Sequence, residues 1–272
     1  MYKLIACDLD ETLLSDDVTI SQRNIDAIKA ALNKGIKFVP ATGRGYNSIQ
    51  NVLNDLDLKD KASEYVISFN GGCITENKDN RIIKFAGLEY SEVKALFQIG
   101  REFDVCIHVN TKNKLFIYNA NDDELNYVMA RNSFEVIKDP DDLSFLKNED
   151  VAKVIYGNTD LDYLSRIEKV IREKGYNLDI SYSSNRYLEL NPQGVNKGQG
   201  LHELAANLDI DLADTIAIGD NFNDLSMIKT AGLGVGMKNV NPKIKQYCDF
   251  ITNSDNNEGG VGEVIEKFIL DK

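Results

Sequence analysis

The chain has 272 residues, 43% of them hydrophobic and 27% charged, with a formal net charge of −12. This is the composition of a soluble globular protein with room for one large core or two smaller ones. The acidic balance excludes the basic stripe of a nucleic-acid binder and is repelled by anionic lipid, so neither nucleic acid nor membrane is an expected partner.

No apolar stretch approaches the roughly 18 residues of a membrane span. The run Lys3-Leu4-Ile5-Ala6-Cys7 is too short for a signal peptide and ends in acid. The four cysteines form no CxxC pair, which speaks against a disulfide framework and for a cytoplasmic location. The two histidines, His108 and His202, have no partner spacing. A His-based zinc site and a Ser/His triad are therefore not expected.

In chain order, residues 3–8 read as a buried strand. Ser21 can cap a helix that buries Ile25, Ile28 and Leu32, with Gly35 just past its end. Residues 36–41 read as the next strand, and Gly43 opens a helix through about Leu56. Residues 65–69 form a third strand, and Asn70-Gly71-Gly72 turns it into a hairpin with 73–75.

From about residue 84 the character changes to consecutive strands. A helix over 91–103 precedes strands at 105–109 and 115–118, a helix near 122–131 and a strand at 134–137. A strand at 151–156, a helix over 160–174 and strands at 178–182 and 187–190 follow. After residue 190 strict alternation returns: helix 198–208, strand 215–218, helix 221–230, strand 233–236, helix 241–247, strand 250–252 and helix 261–269. The reading is an α/β fold with a doubly wound, Rossmann-like parallel-sheet core over 1–83 and 189–272, and an inserted α+β domain over 84–188.

Four strand ends carry polar residues. Asp8-Leu9-Asp10-Glu11-Thr12 sets two carboxylates two apart where open α/β sheets place ligands. If strand geometry holds through Asp10, both side chains leave on one face; if the chain turns, side chain and backbone can meet at one point. Either way the pair is a candidate nucleophile plus acid, or a metal site. The bland alternative, an acidic turn, leaves unexplained why a buried strand ends in two acids.

At Ala41-Thr42-Gly43-Arg44 a hydroxyl and a backbone N–H can point at an anion, although Thr42 could simply cap a helix. Lys197 begins a helix, where a cation meets the positive end of the dipole. An anion nearby would offset that cost; a solvated lysine is the plain alternative. In Gly219-Asp220-Asn221-Phe222-Asn223-Asp224, two acids and two amides surround a strand end in the manner of an oxygen-rich Mg²⁺ site.

Taken together, these four loops in this order resemble the haloacid dehalogenase-like (HAD) hydrolase superfamily, and within it the Cof-type branch with a large type IIB cap. The resemblance covers essentially the whole chain and includes Asn70-Gly71-Gly72 and Gly219-Asp220-Asn221-Phe222-Asn223-Asp224-Leu225. Two positions depart from the family pattern. Glu11 stands where glycine is usual, and Gly45 where proline is usual.

The resemblance implies hydrolysis of small phosphorylated metabolites, such as sugar phosphates, in two steps. Asp8 is the nucleophile that forms an aspartyl-phosphate, and Asp10 the acid and base. Mg²⁺ would be held by Asp8, the Asp10 carbonyl and Asp220, with Asp224 orienting that shell and pairing with Lys197. Leu9, Thr42, Gly43, Lys197 and Asn223 would hold the phosphoryl oxygens. The cap sets substrate choice, with Tyr46, His108, Tyr118 and Tyr182 as rim contacts or, more simply, packing residues. A monomer or small homo-oligomer is expected. Two other readings share parts of the pattern: a phosphotransferase or hexose phosphomutase, and a non-enzymatic phospho-acceptor module. The second lacks a general acid two residues after its acceptor and needs no large insert.

Overall fold

Apolar side chains alternate between two faces in the first strand, and the computed structural model shows why. It describes residues 1–129 and 133–271. Strands β1 (Leu4–Cys7) and β2 (Lys37–Pro40) begin the first sheet. Ile5 and Cys7 of β1 pack into one cluster with Phe38, Ile28 and Val264; Leu4 and Ala6 pack into another with Val39, Leu201 and Met227. A strand buried on both faces is the mark of a doubly wound parallel sheet.

On one face lies α1 (Gln22–Asn33), whose N-cap Ser21 accepts from the Asn24 N–H. Next in the chain come α2 (Gln50–Asp55), β3 (Tyr65–Ser68), β4 (Cys73–Glu76) and β5 (Arg81–Phe85). β3, β4 and β5 form a small sheet, and a parallel bridge between Ala41 and Ile67 carries β3 alongside the end of β2.

The chain divides into two compact units, Met1–Lys84 with Asn196–Lys272, and Phe85–Val195. Within the second, α3 (Tyr90–Arg101) precedes β6 (Cys106–Thr111), β7 (Leu115–Tyr118), α4 (Asp122–Met129) and β8 (Glu135–Val136). Then come β9 (Val151–Gly157), α5 (Leu161–Glu173), β10 (Leu178–Ser183) and β11 (Tyr187–Pro192). Among the described residues the sheet order is β10-β11-β9-β6-β7-β8. One face buries Ile107, Val109, Val154 and Leu188 against α3 and α5. On the other, Cys106 and Ile117 pack with Val128 of α4. The helix expected near 122–131 runs partly outside the described residues.

The first unit resumes with α6 (Lys197–Asn207), β12 (Thr215–Gly219), α7 (Leu225–Thr230), β13 (Leu233–Gly236), β14 (Phe250–Ile251) and α8 (Gly260–Ile265). The parallel order is β14-β13-β12-β1-β2. The chain winds outward from β1 in one direction, then returns to β12 and winds in the other. The point of reversal lies between β1 and β12, where such sheets bind ligands.

Two helices differ from expectation. Residues 43–56 do not form one helix: Gly45 is extended, a tight 3₁₀ turn spans Tyr46–Ile49, and α2 follows. The Thr42 hydroxyl accepts from the Arg44 N–H, a local turn that competes with helix initiation. Residues 241–247 shrink to a 3₁₀ turn, Lys245–Tyr247. There Asn241 Oδ1 accepts from the Lys243 N–H, and the Ile244 and Lys245 N–H groups return to the Asn241 carbonyl. Among the described residues no helix is long and apolar enough to cross a membrane.

Candidate active site

Asp8 and Asp220 each follow the last residue of one of two adjacent strands, β1 and β12. The Asp8 N–H donates to the Ile218 carbonyl at 3.0 Å, which holds the first loop against the end of β12. Strand geometry stops there. Residues Leu9–Leu13 coil into a helical turn that bends at Asp10 (φ −68°, ψ 129°) and Glu11 (φ 59°, ψ 11°).

The turn sends the two acids apart. Asp8 points into the protein and is buried. Asp10 turns to Arg44, whose Nε donates to Oδ2 at 2.9 Å and whose Nη2 donates to Oδ1. This is a two-pronged guanidinium–carboxylate pair of high geometric specificity.

Lys197 is the first residue of α6, and its side chain is 0% exposed. Its Nζ lies 2.5 Å from Asp8 Oδ1 and 2.6 Å from Asp224 Oδ1. Two carboxylates therefore offset its unfavourable place on the helix dipole. Burial alone would lower the Lys197 pKa, but Asp224 and Asp8 overcome it and raise it above the ordinary range.

The other Asp224 oxygen accepts from the N–H groups of Asp220 at 2.9 Å and Asn221 at 3.1 Å. Gly219 permits that approach: a Cβ there would stand 2.4 Å from the Cβ of Asp224. Asp220 Oδ1 accepts from Thr12 Oγ1 at 2.8 Å.

Asp8, Asp220 and Asp224 are all buried, with a carboxylate oxygen of each within 4.8 Å of the others. The Lys197 ammonium pairs with two of the three, Asp8 and Asp224. Burial, then the Asp224 charge, pushes Asp8 up to about 8. Burial, Asp224 and Asp8 likewise push Asp220 well above the usual carboxylate range. Like charges at about 4 Å cost roughly 4 kcal/mol at an effective dielectric near 20. A cluster of oxygen donors with unbalanced negative charge fits a hard divalent cation.

The remaining candidates lie nearby in sequence and fold. Leu9 is the residue after Asp8 and is buried. Thr42 is buried, its N–H donating to the Ile67 carbonyl and its carbonyl accepting from Asn70, so the hairpin β3–β4 pins the Thr42–Arg44 loop. Gly43 lies in that loop, and Asn223 is half-buried in the 3₁₀ turn Phe222–Asp224. Sequence reasoning gave no role to Thr12 or to the Arg44 side chain. Their only signal was membership of the two motif loops.

The rim candidates are packed. Tyr46 is buried, Tyr118 packs at a tilt against Phe97 with centroids 5.4 Å apart, and Tyr182 donates to Glu168 at 2.6 Å. His108 is buried beside Glu124 and Tyr187.

The two departures from the family pattern have physical consequences here. Glu11 occupies the left-handed region that glycine tolerates without strain. At Gly45 a Cβ would meet the Phe69 ring at 2.7 Å, so the ring occupies the space of a side chain.

The model of the haloacid dehalogenase-like hydrolases matches residues 5–265. The chain belongs to that family. YxeH of Bacillus subtilis, which carries phosphatase in its name, is 33% identical over 284 residues, covering 100% of both chains. A second B. subtilis protein, 5-amino-6-(5-phospho-D-ribitylamino)uracil phosphatase YcsE, is 29% identical over 98% of this chain and 96% of its own. Among solved structures, a haloacid dehalogenase-like hydrolase from Bacteroides thetaiotaomicron is 31% identical, with TM-score 0.84 over 99% of this chain and 100% of its own. The chain is thus an enzyme of a phosphatase-bearing hydrolase family, and the fold class and family read from its residues stand.

Proposed function

We propose that this enzyme is a Mg²⁺-dependent phosphatase of small phosphorylated metabolites, working through an aspartyl-phosphate on Asp8. The observation that carries the reading is the buried cluster of Asp8, Asp220 and Asp224, with Lys197 bonded to Asp8 and Asp224, at the switch point of the sheet. A carboxylate there is positioned to attack, and it is surrounded by more negative charge than the protein balances.

The residues divide the work. An Asp8 carboxylate oxygen attacks phosphorus, and the bond to the leaving alkoxide breaks. Asp10 gives that alkoxide its proton, then takes one from the water that attacks the acyl-phosphate, releasing inorganic phosphate and free Asp8. Arg44 positions Asp10 through its paired nitrogens. Lys197 keeps its charge and attracts phosphoryl oxygens while holding Asp8 in place. Thr42, the Leu9 and Gly43 N–H groups and Asn223 supply further donors. Bound at Asp8, Asp220 and the Asp10 carbonyl, with Asp224 supporting, Mg²⁺ would supply charge neutralisation for the incoming phosphate dianion.

The second unit, residues 85–195, would decide the substrate. YcsE is named for a phosphorylated ribitylamino-uracil, and a sugar-like phosphate of that size is a reasonable first member of a panel. The test is phosphate release with Mg²⁺ across sugar phosphates, nucleotides, flavin mononucleotide, pyridoxal phosphate and that ribitylamino-uracil phosphate. Turnover that Asp8→Asn abolishes and chelation suppresses is the expected result. Full activity in Asp8→Asn would remove Asp8 as nucleophile. Exchange of phosphate between positions of a bisphosphorylated sugar, without release, would make the enzyme a mutase.

A further inference from the structure

Along β6 side chains alternate, so Cys106 and His108 leave on the face opposite Ile107 and Val109. Glu124, in the first turn of α4, reaches the same point. One ligand atom from each (the Cys106 Sγ, a His108 ring nitrogen and a Glu124 carboxylate oxygen) lies within 4.8 Å of the others. All three residues are buried, His108 to 3% exposure. His108 Nε2 stands 3.0 Å from Glu124 Oε1. Among the described residues this contact is the only one to that ring nitrogen, and it falls short of hydrogen-bond alignment.

We propose that Cys106, His108 and Glu124 bind a borderline-soft divalent cation of the zinc type. This would be a second metal site, separate from the oxygen cluster of Asp8, Asp220 and Asp224.

The donor set argues for the class of ion. A thiolate, an imidazole and one carboxylate select zinc-like metals, whereas oxygen-only sites select magnesium-like ones. Around one zinc ion at its usual bond lengths, ligand atoms stand roughly 3.3–3.8 Å apart. The three atoms lie within 4.8 Å of one another, so small shifts reach that, with the 3.0 Å His108–Glu124 pair opening slightly. On binding, the Cys106 thiol releases its proton to solvent, and His108 donates the Nε2 lone pair as neutral imidazole. Thiolate and carboxylate then balance the two charges of the ion. Three protein ligands leave a fourth position for water or an external atom.

The surroundings hold the ligands in place, as outer partners do in metal sites. Tyr187 Oη donates to Glu124 Oε1 at 2.5 Å, and Arg186 Nη1 donates to Oε2 at 3.1 Å. A carboxylate oxygen has lone pairs for both a tyrosine and a metal. The Tyr187 ring also packs on His108, with centroids 5.4 Å apart, and sets the imidazole plane. Spacing along the sequence hides this site, because the third ligand comes from a helix packed on the strand.

The test uses the full chain, stripped with chelator, held in excess Mg²⁺ and titrated with Co²⁺. One equivalent should produce a thiolate-to-cobalt charge-transfer band and the visible bands of a low-coordinate ion. Cys106→Ser should abolish the charge-transfer band. Glu124→Gln and His108→Asn should each weaken binding at least about tenfold. Asp220→Asn should leave the bands unchanged. Circular dichroism establishes that each variant is folded, and the three ligand variants are independent of one another. No thiolate band in the wild type overturns the proposal. So does a band that persists in Cys106→Ser, which would place the ion on Cys7, Cys73 or Cys248, or a band lost in Asp220→Asn.

Discussion

Thr12 Oγ1 donates a 2.8 Å hydrogen bond to Asp220 Oδ1, joining loops that lie 208 positions apart in the chain. The bond favours the charged carboxylate against its burial and against Asp224 and Asp8. It also fixes which way Asp220 faces. Removing a group that orients a metal ligand typically costs 10–100-fold in metal affinity. Thr12→Val should weaken Mg²⁺ binding by about that factor, while Thr12→Ser should restore most of it. Calorimetric titration reads both; equal affinity in Thr12→Val and the wild type would show that the bond is incidental.

Stability without metal should fall as pH rises. Asp8 titrates at about 8 in the folded protein against 3.8 ordinarily, because burial and then Asp224 oppose its charge. Between those values the native state holds a proton that the unfolded chain has lost. Stability contributed by neutral Asp8 is therefore fully present below about pH 4 and is lost as pH climbs towards 8. In chelator, the melting temperature should decline across that window. Asp8→Asn should flatten the decline, and Mg²⁺ should oppose it. A pH-independent melting temperature in chelator would contradict this account.

Lys197→Met keeps side-chain volume and removes the buried cation that pairs with Asp8 and Asp224. Breaking a buried ion pair from one side costs about 3–5 kcal/mol. The variant should lose roughly that much stability at pH 8 and less at pH 5, where the acids can take up protons instead. Urea unfolding at the two pH values measures the difference. Turnover should be lost at both.

Glu11→Gly should stabilise the protein. The left-handed conformation costs a side-chain-bearing residue roughly 1–2 kcal/mol. Glycine's greater freedom in the unfolded chain returns about 0.5–1 kcal/mol of that. A net gain of about 0.5–1 kcal/mol is expected, read as a shift in the urea midpoint. No gain would mean that contacts of the Glu11 side chain repay its strain.

The fold was legible because periodicity is a local property. Leu4 to Cys7 are apolar throughout, as only a strand covered on both faces can be, and the helix after Ser21 carries its cap and its apolar stripe in plain view. Helices were misjudged where local hydrogen bonds compete. The Thr42 hydroxyl turns the chain before a helix can start, whereas after Asn241 only one tight turn forms. Lys197 reads as an ordinary surface lysine in isolation, yet it is fully buried, because its partners sit 189 and 27 residues away.

By itself the sequence determined the alternation of strands and helices, the four polar strand ends and the family to which they belong. Each depends on residues close together in the chain. Only the tertiary structure decided that Asp8 and Asp10 part company, one to Lys197 and the other to Arg44. Only it brought Thr12 to Asp220, and Glu124 to Cys106 and His108. The physical reason is the same in each case. Charge and coordination act over a few ångströms of space, and only the packed sheet sets which distant residues come that close.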